Sequence, residues 1–440
     1  MNADRFGTGS ETGIRWRRFE CWGAGLCLFL QSGALIPLAL SDADGGLSDP
    51  SRAKLRFVAL PVYAFTAFIL YRNFPRFLKA LRQNLYVPAL PGLAFLSVLW
   101  SVGPPTTLMR AVGLLFTMLL AYVLAIRFSP KQLLLIVLLT LGISMILSIM
   151  LLAAMPGLAR TASDGTLRGI FVNKNSLGWY ACITTLLAMV VLIDGTIRSR
   201  RTACILLVAG GFCLLGSGSM TAIIATLSTF ALIPFYLILQ KARGAGRMLV
   251  VLLAVQGAAC LLLLLHNYLV PLLESLGKDA TLTGRIPLWE LVDRQIAEHL
   301  LLGFGYQTFW IDRNLAAWDI WSQIGWLAPH AHNGFRDTLL SFGLIGMSLF
   351  MLVLVRALRQ GAVLQCQDPH YGWLWLNVFT GVVLVMNLTE SIFLVQNDTI
   401  FILFCTGLIM FSLYAPAASF RLQRMRRMVR EGEPMEQQPV

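Results

Sequence analysis

Long stretches without a charge, separated by short polar segments, dominate the chain. Apolar runs cover approximately 23–40, 57–71, 85–101, 108–126, 132–153, 176–193, 203–216, 220–239, 248–265, 335–355, 372–388 and 398–415. Most approach the roughly 20 apolar residues that a helix needs to cross a hydrocarbon layer about 30 Å thick. The pattern predicts an all-α, polytopic transmembrane helical bundle of about 12 spans. The run at 203–216 is short, and the Gly216-Ser217-Gly218-Ser219 stretch after it reads either as a tight turn between spans or as a re-entrant break.

Composition narrows this further. Of the 440 residues 57% are hydrophobic and 13% charged, with a mean hydropathy of +0.70. That excludes a disordered chain and overloads any soluble domain. Eight cysteines, none in a CxxC spacing, read as small packed side chains rather than disulfides.

The formal charge of +13 would suit a nucleic-acid binder, but its placement points to membrane topology. Counted over alternate loops, 23 of the 35 basic residues fall on one set, among them Arg17, Arg76, Arg127, Lys131 and the run from Arg421 to Arg430. The positive-inside rule predicts that this set, with both termini, faces the cytoplasm. The basic tail then meets anionic lipid, and the first apolar run is a retained span although LALSDADGG after it imitates a cleavage site. The expected layout is a cytoplasmic segment at 1–22, spans one to nine at 23–265, a large outer loop at 266–334, spans ten to twelve at 335–415 and a cytoplasmic tail at 416–440.

The chemistry gathers in the outer loops. The loop at 154–175 carries Arg160, Arg168 and Lys174 against the charge rule. Arg168, Lys174 and Asn175 at the mouth of the next helix would suit a phosphate or pyrophosphate; alternatively Arg168 and Lys174 pair with lipid phosphates or with Asp164. In the large loop, Leu288, Val292 and Ile296 recur at helical spacing after Thr283, predicting an amphipathic helix on the outer membrane surface. Arg285 leads that helix, and Glu290 and Arg294 stand four apart as a surface pair. The loop ends with His330 and His332, suited to proton transfer, with Asn333 and Asp337 placed to orient them. A metal on the two histidines would need Asp337 or Asp319 as well, and no metal is expected. Asp42 and Asp44 have a DxD spacing but sit in a Gly- and Asp-rich turn, where solvation is the simpler reading. Glu390 and Asp398 flank the last outer turn and are placed to line an external cavity; Arg110 either does the same or snorkels.

Three blocks, RGIFVNKNSLG at 168–178, TGRIPLWELVDRQIAEHLLLGFGYQTFW at 283–310 and HNGFRDTLLSFGLIG at 332–346, with NLTES at 387–391, resemble the O-antigen ligase and Wzy-type polymerase superfamily, most closely exopolysaccharide polymerases of the ExoQ type. The resemblance implies a GT-C-like fold in the bacterial inner membrane with the 266–334 loop periplasmic. It implies an inverting glycosyltransferase with no metal or other cofactor. The donor would be an undecaprenyl-pyrophosphate-linked oligosaccharide, and the acceptor a glycan, for polymerisation, or lipid A core, for ligation. A chain-length regulator and membrane lipids would be its other partners, and nucleic acid none. It places His332 in the catalytic position, Arg168 and Arg285 as catalytic residues binding the pyrophosphate with Lys174 and Asn175, and Glu290, His330, Asn333, Asp337 and Glu390 in supporting roles. The rival from another class, a transporter of lipid-linked glycan, predicts internal repeats with broken helices, which the sequence does not display.

Overall fold

The computed structural model describes residues 11–40, 49–197, 199–258, 260 and 284–431. Asp42, Asp44 and Thr283 lie outside the described residues. In chain order the helices are α1 (Glu11–Gln31), α2 (Ile36–Leu40), α3 (Asp49–Arg72), α4 (Phe74–Gln83), α5 (Ala89–Leu96), α6 (Pro104–Arg127), α7 (Pro130–Ala154), α8 (Pro156–Ala159), α9 (Lys174–Ile193), α10 (Arg200–Ser217), α11 (Met220–Lys241), α12 (Ala245–Ala258), α13 (Arg285–Glu298), α14 (Leu315–Ile324), α15 (Gly334–Gln367), α16 (Trp373–Met386) and α17 (Thr399–Glu431). Among the described residues there is no strand; Arg160 and Leu167 form an isolated antiparallel bridge.

Six of these helices, α6, α7, α9, α10, α11 and α15, are long and apolar enough to cross a membrane; α3 with α4, bent by 93° at Asn73, would make a seventh. The remaining apolar helices are shorter. α16, at 14 residues, is about 21 Å long, less than the hydrocarbon thickness. It lies inside the bundle, with Trp373, Trp375, Phe379 and Val382 buried against neighbouring helices. Protein, not lipid, surrounds it, so its continuous hydrophobicity records burial as well as membrane insertion.

Local sequence sets the helix ends. Ser129 accepts a hydrogen bond from the Gln132 N–H while the Gln132 amide oxygen accepts from the Ser129 N–H, a reciprocal cap ahead of Pro130 at the start of α7. Asn173, Asn314 and Asn333 cap α9, α14 and α15 through their side-chain oxygens. α15 is two helices joined at Gly343, whose φ of 60° is left-handed. A Cβ there would meet the Leu301 carbonyl carbon at 2.3 Å. The break lets the 300–304 loop enter the helix: Leu344 and Ile345 donate to the carbonyls of Leu300 and Leu301, and Phe304 donates to Leu340. The glycine-bearing stretch after the histidines thus ties α15 to the loop that follows α13.

α13, α14 and the start of α15 share a second core of Leu288, Val292, Ile296, Phe309, Trp321 and Leu340. This corrects the expectation of a helix lying on the membrane surface: Leu288 and Val292 are fully buried in the protein, so the apolar stripe of α13 is already satisfied and not offered to lipid.

The two ends of the bundle differ. At the basic end, Arg17 and Arg127 surround buried Glu20, and Lys131 pairs with Asp194. The opposite end is stitched by hydrogen bonds between connecting segments: Leu35 to Ile170, Leu167 to Gly216, Val102 to Phe304 and Gly334 to Asn387. Arg168, Arg285 and the histidines all lie there.

Candidate functional site

The turn at 330–333 is built around His332, which holds a left-handed φ of 50°. Such a conformation costs a residue with a Cβ on the order of 1–3 kcal/mol and persists only where neighbours impose it. Both neighbours are pinned. The Ala331 N–H donates to both Asp337 carboxylate oxygens, at 3.1 and 3.0 Å, and the Asn333 N–H donates to the Ser391 hydroxyl oxygen at 3.1 Å. Ser391 in turn donates to Asp337, which also accepts from Trp310 Nε1 at 2.9 Å. Asn333 donates its amide to the Leu388 carbonyl, and Gly334 packs so tightly on Asn387 that a Cβ would lie 1.9 Å from Oδ1.

Held this way, His332 turns Nδ1 toward Glu390 Oε2 at 3.6 Å. That is too long for a hydrogen bond, and Nδ1 is buried without one. Glu390 is 2% exposed, and its other oxygen, Oε1, accepts from Arg285 at 2.8 Å. Arg285 opens α13 directly after Gly284, and one turn later Trp289 donates Nε1 to the Ala331 carbonyl. Arg336 makes two hydrogen bonds to Asp293, at 2.7 and 2.8 Å, and lies over the Trp289 ring. α13 is thereby latched to the histidine turn, and Arg285, Glu390 and His332 form one connected group.

His330 is a different histidine. Its Nδ1 accepts the His332 backbone N–H at 3.1 Å, which leaves the proton of the neutral ring on Nε2. Burial, with the His332 ring and the Arg285 cation beside it, pushes its pKa down to about 3. It is an uncharged ring near neutral pH. The ligand atoms of His330, His332 and Glu390 lie within 4.8 Å of one another, so the carboxylate joining the two histidines is Glu390. Asp337 is engaged by the turn, and Asp319 is exposed on α14.

Arg168 stands in another electrostatic setting. It is 3% exposed, and its guanidinium donates to the carbonyls of Leu158, at 3.1 Å, and Val172, at 3.4 Å. Among the described residues no carboxylate pairs with it. Lys174 pairs with Asp164 at 2.5 Å, one of the alternatives open from sequence, and this cation together with the hydroxyls of Thr161 and Thr166 holds the Asp164 carboxyl well below the usual range. Asn175 is half-buried at the start of α9. No hydrogen bond or ion pair joins Arg168 to Arg285 among the described residues. The two regions meet through the Gly216–Met220 turn: Leu167 donates to Gly216, and Thr221 shares a 2.9 Å hydrogen bond with Thr389, next to Glu390.

Glu290 is exposed and forms no ion pair with Arg294 among the described residues; α13 spends its anionic contact on Asp293 and Arg336 instead. Asp398 caps α17 by accepting the Phe401 N–H at 2.8 Å rather than joining Glu390. Arg110 donates to the Gln307 carbonyl. Trp310, Ser391 and Asn387 escaped sequence reasoning. Trp310 ends the second block and Ser391 closes NLTES, so the signal was present, but their partners lie 27 and 54 residues away.

Residues 203–351 match the family model described as O-antigen ligase, a stretch that contains Arg285, Glu290, His330, His332, Asn333 and Asp337 but neither Arg168 nor Glu390. Over 205 residues the chain is 32% identical to the exopolysaccharide production protein ExoQ of Rhizobium meliloti (strain 1021), covering 44% of this chain and 47% of that protein. The chain thus spans about half the length of this curated relative. The matched stretch 203–351 contains the blocks at 283–310 and 332–346, and in sequence the chain is similar to the O-antigen ligase family and to ExoQ.

Proposed function

We propose that the chain is an inverting, metal-independent glycosyltransferase of the inner membrane that polymerises polyprenyl-pyrophosphate-linked oligosaccharide repeats at the outer face. In this reading the bundle has about 12 spans in a GT-C-like arrangement, the termini are cytoplasmic and the α13–α14 region is periplasmic. The observation that carries the chemistry is buried Glu390 shared between Arg285 at 2.8 Å and His332 at 3.6 Å.

An acceptor hydroxyl oxygen attacks the anomeric carbon while the bond from that carbon to the pyrophosphate oxygen breaks, the electron pair leaving with the undecaprenyl pyrophosphate. Glu390 favours a proton on His332 Nδ1, leaving the Nε2 lone pair to take the hydroxyl proton, and then stabilises the imidazolium. Arg285 and Arg168 meet the charge growing on the pyrophosphate. Arg168 suits this role because it is a buried cation with no carboxylate partner among the described residues, so an incoming anion would supply the counter-charge. A chain-length regulator would act on the product, outside these residues.

The test is the purified chain in liposomes with a polyprenyl-pyrophosphate-linked repeat and EDTA. A ladder of products spaced by one repeat supports polymerisation. Single transfer to lipid A core alone would assign ligation, and no transfer in any arm would contradict the reading.

A further inference from the structure

The histidine turn leaves a ring nitrogen and a carboxylate oxygen facing each other across a gap. Oε1 of Glu390 is committed to Arg285, whereas Oε2 faces His332 Nδ1 at 3.6 Å, and Nδ1 is buried with no hydrogen-bond partner. His330 brings a third donor, all three within 4.8 Å of one another. Zinc holds imidazole nitrogen and carboxylate oxygen at about 2.0–2.2 Å, which puts neighbouring tetrahedral ligands about 3.3 Å apart. The 3.6 Å gap is close to that spacing, and the third ligand needs a side-chain adjustment on the order of an ångström. Arg285 on Oε1 acts as the outer partner that orients a ligating carboxylate.

We propose that His330, His332 and Glu390 form a binding site for a borderline-soft divalent ion, Zn2+ above all, and that its occupancy blocks transfer. The inference rests on the proposed mechanism for its inhibitory part only. The ion takes the place of the proton between His332 and Glu390 and withdraws the ring from the acceptor hydroxyl. Hard ions such as Mg2+, which prefer octahedral oxygen sets and retain water, fit this nitrogen-rich trio poorly.

The experiment titrates Zn2+ into the full chain, purified in detergent and stripped with EDTA, against a chromophoric chelator. The expected result is one equivalent bound, weakened at least about tenfold by His330→Ala and by Glu390→Gln but not by His299→Ala or His370→Ala. Zn2+ should also raise the thermal midpoint of the wild type and not of His330→Ala, a readout that reports binding on folded protein. In the transfer assay Zn2+ should inhibit the wild type over the concentration range in which it binds, with EDTA restoring activity. No stoichiometric binding, binding untouched by His330→Ala and Glu390→Gln, or bound zinc without inhibition overturns the inference and leaves the proposed transfer reaction standing. Activation by Zn2+ would overturn both the inhibitory role inferred for the ion and the metal independence of the proposed reaction.

Discussion

Each end of the bundle buries a glutamate beside an arginine, and the two are wired differently. At the basic end Glu20, 1% exposed, uses both oxygens: Oε1 accepts from Trp16 at 2.9 Å, and Oε2 from Arg127 at 2.7 Å with Arg17 at 3.4 Å. Arg17 goes on to bond the Arg127 carbonyl and Gln132, so helices α1, α6 and α7 close on one knot in which both glutamate oxygens are engaged. At the other end Glu390 bonds Arg285 through one oxygen and leaves the other facing His332 without a hydrogen bond. Burial of charge in the first case joins helices; in the second it keeps an oxygen in reserve. A buried ion pair therefore says little about function until its unspent atoms are counted.

That contrast is open to test by substitution. The largest effect is expected at Glu20→Ala, which leaves Arg127 buried without its carboxylate: breaking such a pair costs about 3–5 kcal/mol. The thermal midpoint in detergent should fall sharply while transfer per folded molecule stays near normal; unchanged stability would remove the structural half of the comparison. Glu390→Gln should behave in the opposite way. It removes the charge that holds Arg285 and polarises His332, so turnover should fall about 100-fold, while the midpoint moves less than for Glu20→Ala because Arg285 has more access to water. A variant that loses stability but keeps turnover would make Glu390 a second Glu20.

Asp337→Asn sharpens the account of the turn. One carboxylate accepts from Ala331, Trp310 and Ser391, and an amide cannot accept all of them without turning its own donors on a neighbour. Leaving such groups unmatched costs about 1–3 kcal/mol, and because Asp337 positions His332, the loss should appear in kcat, about 10-fold or more, with KM for the donor near wild type. A change in KM alone would place Asp337 on the donor side. The smallest effect belongs to the Asp164–Lys174 pair. Asp164 has a lowered pKa in the folded state, so its contribution is present above the ordinary carboxyl value and fades as the pH falls below it. The pair is exposed, and Asp164→Asn should shift the midpoint at pH 7 by no more than about 1 kcal/mol allows. A large loss of transfer in that variant would give Lys174 a part in the site.

Much of this was legible in the sequence, unevenly. The apolar runs gave the helical membrane character, and the helix led by Arg285 is where its periodicity puts it. The span count was less readable: α16 is apolar because protein encloses it, and hydropathy cannot distinguish that from lipid. Arg168 and His332 stood out by residue type and motif. Glu390 and Asp337 are named from sequence in supporting roles, but their pairings are not legible there, because Glu390 reaches Arg285 across 105 positions and Asp337 reaches Ser391 across 54, distances over which residue spacing carries no geometry. The amphipathic stripe of α13 was read correctly as a stripe and assigned the wrong partner, since periodicity shows that a face is buried and not what buries it.

The central claim, a charge clamp of Arg168 and Arg285 with His332 acting on the acceptor, is tested most directly by measuring turnover and donor binding together on folded, membrane-inserted His332→Ala, Arg168→Ala and Arg285→Ala. Loss of one preorganised donor should cost each arginine variant about 2.7–4 kcal/mol, on the order of 100- to 1000-fold in rate, with lysine restoring part of it. His332→Ala should be nearly inactive and still bind the polyprenyl-pyrophosphate donor, with His330→Ala milder. Near-normal turnover in His332→Ala, or unchanged turnover and donor binding in both arginine variants, would contradict the account.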